Sequence, residues 1–394
     1  MRTGKSAKDI IYWKIAIFNL YNSFIMKPLK ILLIVVSICL VWGSCIHKTE
    51  PITGVKIYEY QGDFEALADQ WADIGINTAF VSTTLAANDT FREALKKHHI
   101  PVFIIFPVFQ QPEALKNDSG LFAITDKGTK ARHDWVEFVC PSRQSYRKAK
   151  VDELAGLIRR LRPDGISIDF IRQFVFWEMV YPDHKPENID RACFCDSCLA
   201  LFPRQQGITL PDTCVTTVQK AGWITAHCAV QYDTFRCGLI TSLVKDLAET
   251  ARKLQPGIKI NVHAVPWRTD DFGGAGIRVA AQDLKAIAPY ADYISPMCYS
   301  QMLKRDAGWI SSVVADMDKR APGMILPSIQ VYPYYIGDAF SAEDLRECIQ
   351  EALKPPSRGV VFWSWPLLQL ERERIEVVDE EIQDSRSKIE DQKN

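Results

Sequence analysis

Asp164-Gly165-Ile166-Ser167-Ile168-Asp169-Phe170-Ile171-Arg172 is the stretch that decides the architecture. Side chains alternate across a strand, so Ile166, Ile168 and Phe170 share one face and Ser167 and Asp169 the other. With the apolar set packed against helices, Asp169 points inward at the C-terminal end of a short buried strand. A carboxylate is costly to bury unless a partner or a reaction uses it. In a closed parallel α/β barrel, that end of a strand is where reactive groups collect.

Working outward, short apolar runs alternate with helical periodicity. Strands are predicted at Val55–Tyr60, Asn77–Ser82, Pro101–Phe106, the Asp169 stretch, Ile258–Ala264, Tyr293–Met297, Ile325–Gln330 and Gly359–Trp365. Helical spacing covers 64–72, 89–98, 142–161, 215–254, 307–319 and 342–353. Residues 107–141 lack a strong period, and 171–214 are irregular and rich in cysteine. Eight strands alternating with helices over 46–370 predict the α/β class and a (β/α)8 TIM barrel with a cysteine-containing insertion after strand 4. A dinucleotide-binding open sheet needs a glycine-rich phosphate loop after its first strand, and none is present. Residues 371–394 are dense in charge and read as a solvated helix or a disordered tail.

The 394 residues are 47% hydrophobic, which supplies a sizeable core, and the formal net charge is −1. Without a basic excess there is no electrostatic footprint for nucleic acid. The leader is sharper. Met26-Lys27-Pro28-Leu29-Lys30 is basic, Ile31 to Trp42 is apolar, and Gly43-Ser44-Cys45 follows. This is the three-part layout of an export signal. Residues 26–45 are predicted to be a lipoprotein signal peptide, with Met26 the better start and 1–25 an extension outside the fold. The small pair before Cys45 resembles a bacterial lipoprotein processing site, which implies lipidation of Cys45 and anchorage of an exported chain to a bacterial membrane.

The same parity applied to the other strands collects candidates at the mouth. His263 ends the fifth strand, and Trp267, Asp270 and Asp271 follow it. Tyr58 and Tyr60 belong to the first strand's inward set, Tyr299 to the sixth, Gln330 to the seventh, and Trp363 and Trp365 to the eighth. Arg172 lies three residues beyond Asp169, placed to pair with it or to grip a ligand. Aromatic rings stack on the apolar face of a sugar, while amides and hydroxyls read its rim, so this set suits a carbohydrate pocket. Tyr58, Arg172, His263, Trp267, Tyr299, Gln330 and Trp363 are the expected substrate contacts. Glycoside hydrolysis uses two carboxyl groups flanking the scissile bond. Asp169 is the expected nucleophile or base, and Asp271 and Glu178 rank equally as the acid.

Cys193-Phe194-Cys195-Asp196-Ser197-Cys198 is a second constellation. Three thiols at this spacing hold a structural zinc if a fourth ligand arrives, from Cys214, Cys228, Cys237, His184 or His227. Disulfides in an exported protein, or free thiols, are the competing assignments. No other cofactor is expected.

Arg162-Pro163 leading into the Asp169 strand, the Cys193–Phe202 run, Tyr293-Ile294-Ser295-Pro296-Met297-Cys298-Tyr299 and Gly359 to Trp365 together resemble uncharacterised glycoside-hydrolase-like barrels, similar to distant relatives of the amylase and galactosidase type. The resemblance spans about 54–370. It implies a glycosidase acting on a glycan, with Asp169 as the fourth-strand nucleophile and Asp271 matching an acid after the fifth strand. The sequence departs from the group with glutamates after strands four and seven, because Gln330 stands at the seventh. It also departs from the chitinase-like pattern, which ends strand four in Glu. Two alternatives stay open: a glycan-binding lipoprotein with a degenerate site, and a metal-dependent carbohydrate deacetylase.

Overall fold

The computed structural model describes residues 50–391 apart from Asp338. The expected signal segment 26–45 and Cys45 lie outside the described residues.

Ten strands are present: β1 (Ile52–Ile57), β2 (Thr78–Val81), β3 (Val102–Pro107), β4 (Arg132–His133), β5 (Val136–Glu137), β6 (Gly165–Asp169), β7 (Lys259–Ala264), β8 (Tyr293–Cys298), β9 (Ser328–Gln330) and β10 (Gly359–Trp363). Eight of them close in the order β1-β2-β3-β6-β7-β8-β9-β10, with β10 pairing back to β1 and every pair parallel. Helices cover the outside, so this is the expected (β/α)8 barrel. β4 and β5 form a small antiparallel hairpin inside the insertion after β3.

The parity argument holds around the ring. Val55, Ile57, Val81, Ile104, Phe106, Ile166, Ile168, Ile260, Val262, Ile294 and Phe362 face the helices and join one continuous core. The inward set splits into two layers. Phe80, Phe103, Ile105, Leu326 and Val361, with Ile52 and Tyr293 against them, form a separate apolar plug. Farther along the strands, the inward residues Lys56, Ser167, Asp169, Asn261, His263, Ser295, Ser328 and Gln330 are polar and buried. Gly165 makes the plug possible, because a Cβ there would sit 2.3 Å from the Phe103 ring.

Closure depends on Gly359. Its φ is +133°, and a Cβ would lie 1.9 Å from the Ile52 carbonyl oxygen. Gly359→Ala is therefore expected to destabilise by about 3 kcal/mol or more through loss of the β1–β10 seam. The urea midpoint measures it, and an unchanged midpoint refutes the account.

The helices α1 (Phe64–Asp73), α2 (Asp89–Lys97), α3 (Gln144–Leu161), α4 (Asp196–Gln206), α5 (Thr217–His227), α6 (Ala229–Leu254), α7 (Gly308–Asp318), α8 (Ala342–Leu353) and α9 (Arg372–Asp391) carry recognisable end signals. Asp63 caps α1 by accepting from the Glu65 and Ala66 amides, and Ser341 with Asp344 forms a reciprocal capping box on α8. α4 lies in the stretch read as irregular. It buries Cys198, Leu199 and Phe202 at helical spacing, a period too short to stand out between the flanking polar residues. The predicted 215–254 helix breaks at Cys228 into α5 and α6. α9 is a helix, as one reading of the tail expected, but it is not fully solvated. Val377, Val378 and Ile382 are buried. Arg346 of α8 pairs with Glu380 and Glu381 of α9 at 2.7 and 2.6 Å.

Two strand ends differ from expectation. β1 runs three residues earlier than predicted, because Ile52 to Val55 pair with Gly359 to Phe362, so Tyr58 and Tyr60 follow the strand. β10 stops at Trp363, and Trp365 opens a one-turn helix. Its ring is fully buried edge-on against Trp71 of α1, at 5.5 Å, in the helical layer rather than at the mouth.

Candidate active site

Asp169 ends β6, and its Oδ1 accepts from the Phe170 amide at 2.7 Å. The same oxygen lies 3.2 Å from His263 Nδ1. The ring's other nitrogen, Nε2, is 2.8 Å from Ser167 Oγ. Asn261 Nδ2 donates to Ser167 Oγ at 2.8 Å, and Ser295 Oγ donates to Asn261 Oδ1 at 2.9 Å. Ser167 Oγ thus accepts the Asn261 amide hydrogen and meets His263 Nε2, while Nδ1 lies beside Asp169 without an aligned hydrogen bond. Burial holds His263 below its ordinary value, so the imidazole is neutral. Burial alone would raise Asp169, but His263, the Lys56 ammonium and the Phe170 amide outweigh it and hold the carboxyl at about 2.

Glu178 experiences the opposite environment. It lies on the one-turn segment Trp177–Met179 that follows β6, and it is 6% exposed. Burial pushes it up to about 7, against the pull of Arg172, and Asp169 adds a repulsive push in the same upward direction. Arg172 is buried on the Phe138 ring, 4.8 Å from its centroid, and donates from Nη1 to the Val175 carbonyl at 2.8 Å. It therefore acts on both carboxyl groups electrostatically and pairs directly with neither.

The aromatic wall is continuous. Tyr299 stacks on Trp363 at 4.5 Å and 17°, Tyr334 meets Trp363 edge-on at 5.1 Å, and Trp177 lies 5.8 Å from Tyr299. Burial, with Asp169 nearby, pushes the Tyr58 phenol well up against the opposing pull of Trp363. The residue as a whole is 41% exposed. Above this wall, the turn of the β4–β5 hairpin reaches the loop after β9, where Trp135 Nε1 donates to Tyr335 Oη. Trp135, Tyr334 and Tyr335 are all exposed.

The structure thus brings together Asp169, Glu178, Arg172, His263, Tyr58, Tyr299 and Trp363. The other expected residues are engaged elsewhere. Asp271 receives Arg268 through both carboxylate oxygens, at 2.9 and 3.2 Å, and also accepts the Arg268 amide, which makes it the anchor of its own loop. Trp267 is buried edge-on to Phe272. Gln330 spends its amide on Met302, Gln301 and Tyr332 of the neighbouring loops. Lys56 was not singled out in the sequence. It shares parity with Tyr58 two residues on, and its Nζ lies inside the barrel 3.3 Å from Tyr299 Oη. Burial lowers its amine to about 8, opposed by Asp169.

The cysteine cluster has its fourth member in Cys140, which none of the expected ligands anticipated. Cys140, Cys193, Cys195 and Cys198 are buried with their sulfurs all within 4.8 Å of one another. Cys140 Sγ lies 3.4 Å from Cys195 and 3.5 Å from Cys198. No disulfide forms among the described cysteines. Tetrahedral thiolates about 2.3 Å from a zinc sit roughly 3.8 Å apart, so the cluster fits that ion. It joins the insertion after β3 to the insertion after β6, the one that carries Glu178.

Neither a family model nor a curated protein sequence matches the chain. Solved structures do. The glycoside hydrolase domain of PgaB (BpsB) from Bordetella bronchiseptica is 13% identical, with a TM-score of 0.64 over 84% of this chain and 99% of that one. A β-galactosidase from the psychrophilic Marinomonas ef1 is 11% identical, with a TM-score of 0.64 over 86% of this chain. The chain has the barrel fold of glycoside hydrolases. An α-L-fucosidase from Paenibacillus thiaminolyticus, 11% identical with a TM-score of 0.54 over 85% of this chain, has the same barrel. The chain spans 60% of that galactosidase and 49% of that fucosidase. Since a shared glycosidase barrel serves different sugars, the reaction must be argued from the side chains at this mouth.

Proposed function

We propose that the protein is a glycoside hydrolase in which Asp169 is the anionic partner, as nucleophile or base, and Glu178 the general acid. The observation that carries this reading is the contrast in surroundings of two buried carboxyl groups: Asp169 ends β6 on the Phe170 amide beside His263 and is held low, while Glu178 is enclosed on the segment after β6 and is pushed up by burial. Two carboxyl groups pushed apart in this way divide the anionic and proton-donating roles between them at neutral pH. The Tyr299–Trp363 stack supplies the apolar platform for a sugar ring. Asp271, already neutralised by Arg268, takes no part in this assignment.

The pH dependence follows. Glu178 donates only while protonated, so kcat/KM falls as pH rises through about 7. Asp169 stays ionised down to about 2, so no acid limb from it appears between pH 4 and 7. A glycan-panel hydrolysis assay on residues 46–394 tests the function, and its pH profile tests the acid. A profile flat from pH 6 to 9 removes Glu178 from the role. Folded protein that binds glycans without turnover supports the non-catalytic alternative instead.

A structural zinc held by Cys140, Cys193, Cys195 and Cys198 is part of the proposal. It would stiffen the insertions around the mouth without touching substrate. The leader supports a lipid on Cys45 and work at a bacterial membrane surface. Labelled palmitate should enter the full chain and be lost in Cys45→Ser, and equal labelling of both would refute the anchor.

A further inference from the structure

Lys56 is 2% exposed inside the barrel, and its one hydrogen-bond partner among the described residues is Tyr299 Oη, at 3.3 Å. An ammonium offers three donors, so two are left over. It makes no ion pair among the described residues. The charged and titratable groups facing it are Asp169, His263 and Tyr299. Asp169 Oδ1 accepts the Phe170 amide and lies 3.2 Å from His263 Nδ1, and it makes no ion pair with Lys56.

Arg172 is the second buried cation of the site, with Nε and Nη2 unpartnered. Its natural counter-charge is Glu178. While Glu178 holds the proton it must donate, that counter-charge is absent. In the reactive protonation state, Lys56 and Arg172 are then opposed by Asp169 alone, because His263 is neutral. One unit of positive charge is left in a mouth whose walls are otherwise aromatic and neutral. Buried charges are stable when paired, so the missing anion is expected to arrive with the substrate.

Resting on the glycosidase reading above, we propose that the reacting sugar of the substrate is a uronic acid, whose carboxylate is received by the free donors of Lys56 beside Tyr299. The ring lies on the Tyr299–Trp363 face, and the carboxylate sits on the β1 side of the pocket. Neutral hexoses leave Lys56 without an acceptor of its own charge.

Binding to Glu178→Gln tests this, because glutamine keeps the charge state of the protonated acid and prevents turnover. By isothermal titration calorimetry, uronate-terminated oligosaccharides should bind at least about tenfold more tightly than the matching neutral hexose oligosaccharides. Adding Lys56→Met, which keeps side-chain volume, should abolish that preference, with affinity for the acidic sugar falling at least about tenfold more than affinity for the neutral one. Lys56→Arg should restore part of it. Equal affinity for acidic and neutral sugars, or equal loss of both in Lys56→Met, overturns the uronate assignment and leaves the glycosidase reading standing. Binding of neither class by folded protein overturns both.

Discussion

Asp169→Asn should lower kcat by about 10^3- to 10^4-fold while the barrel stays folded, the range expected when a carboxylate acting as nucleophile or base is neutralised. The same change leaves the buried Lys56 without its nearest negative charge, so stability should fall by about 3 kcal/mol. Far-UV circular dichroism and a urea curve separate the two effects. Wild-type turnover in a folded variant would end the case for this residue. Glu178→Gln should give a comparable loss on substrates with poor leaving groups and a smaller one on activated aryl glycosides, whose departure needs less protonation. Its stability effect has the opposite sign. The folded-state value of Glu178, about 7, lies above the ordinary 4.5, so the native state loses stability as pH rises from 4.5 through 7. Glutamine never ionises, and the variant should gain about 3 kcal/mol relative to wild type at pH 8 and nothing at pH 4. An equal effect at both pH values would show that Glu178 is not held protonated.

Purified protein should contain one zinc per chain, with four sulfur neighbours near 2.3 Å by X-ray absorption. Cys140→Ser should lose the metal and about 4 kcal/mol of stability, lowering Tm by roughly 8 °C or more, because a closed thiolate site contributes its binding energy to folding. Cys348→Ser, at a buried thiol hydrogen-bonded to Ser300 and outside the cluster, is the control and should keep the zinc. Absence of metal, with all four thiols reactive to a maleimide in the native state, would refute the site. Loss of zinc should also lower kcat, since the Glu178 segment and Cys193 belong to the same insertion.

The barrel was legible because one rule, alternation along a strand, applied to every strand. It placed Ile166 and Ile168 against helices, Asp169 and His263 inside, and it located all eight strands within a few residues. The site was legible in part. Asp169, His263 and Trp363 fall at strand ends, where parity fixes direction. Glu178 could be named from its place after β6, but nothing in the sequence showed that it would be buried there with Arg172 as its nearest opposing charge. Lys56 was hidden because a lone lysine in an apolar strand reads as a solvent-facing position. Cys140 was hidden for a topological reason: β3 and β6 are neighbours in the ring although far apart in sequence, so the insertions that follow them meet. Asp271 drew notice for its position after the fifth strand, and pairing with Arg268 three residues earlier depends on a loop geometry that sequence spacing does not encode.

The stack of Phe80, Phe103, Tyr293 and Val361 beneath the polar layer makes the barrel a blind well. Nothing can thread through it, so on the proposed glycosidase reading a sugar at the bottom must back out along the path it entered by. On that reading departure of a cleaved unit competes with arrival of the next, and the exposed aromatics Trp135, Tyr334 and Tyr335 stand at the rim where the two would cross.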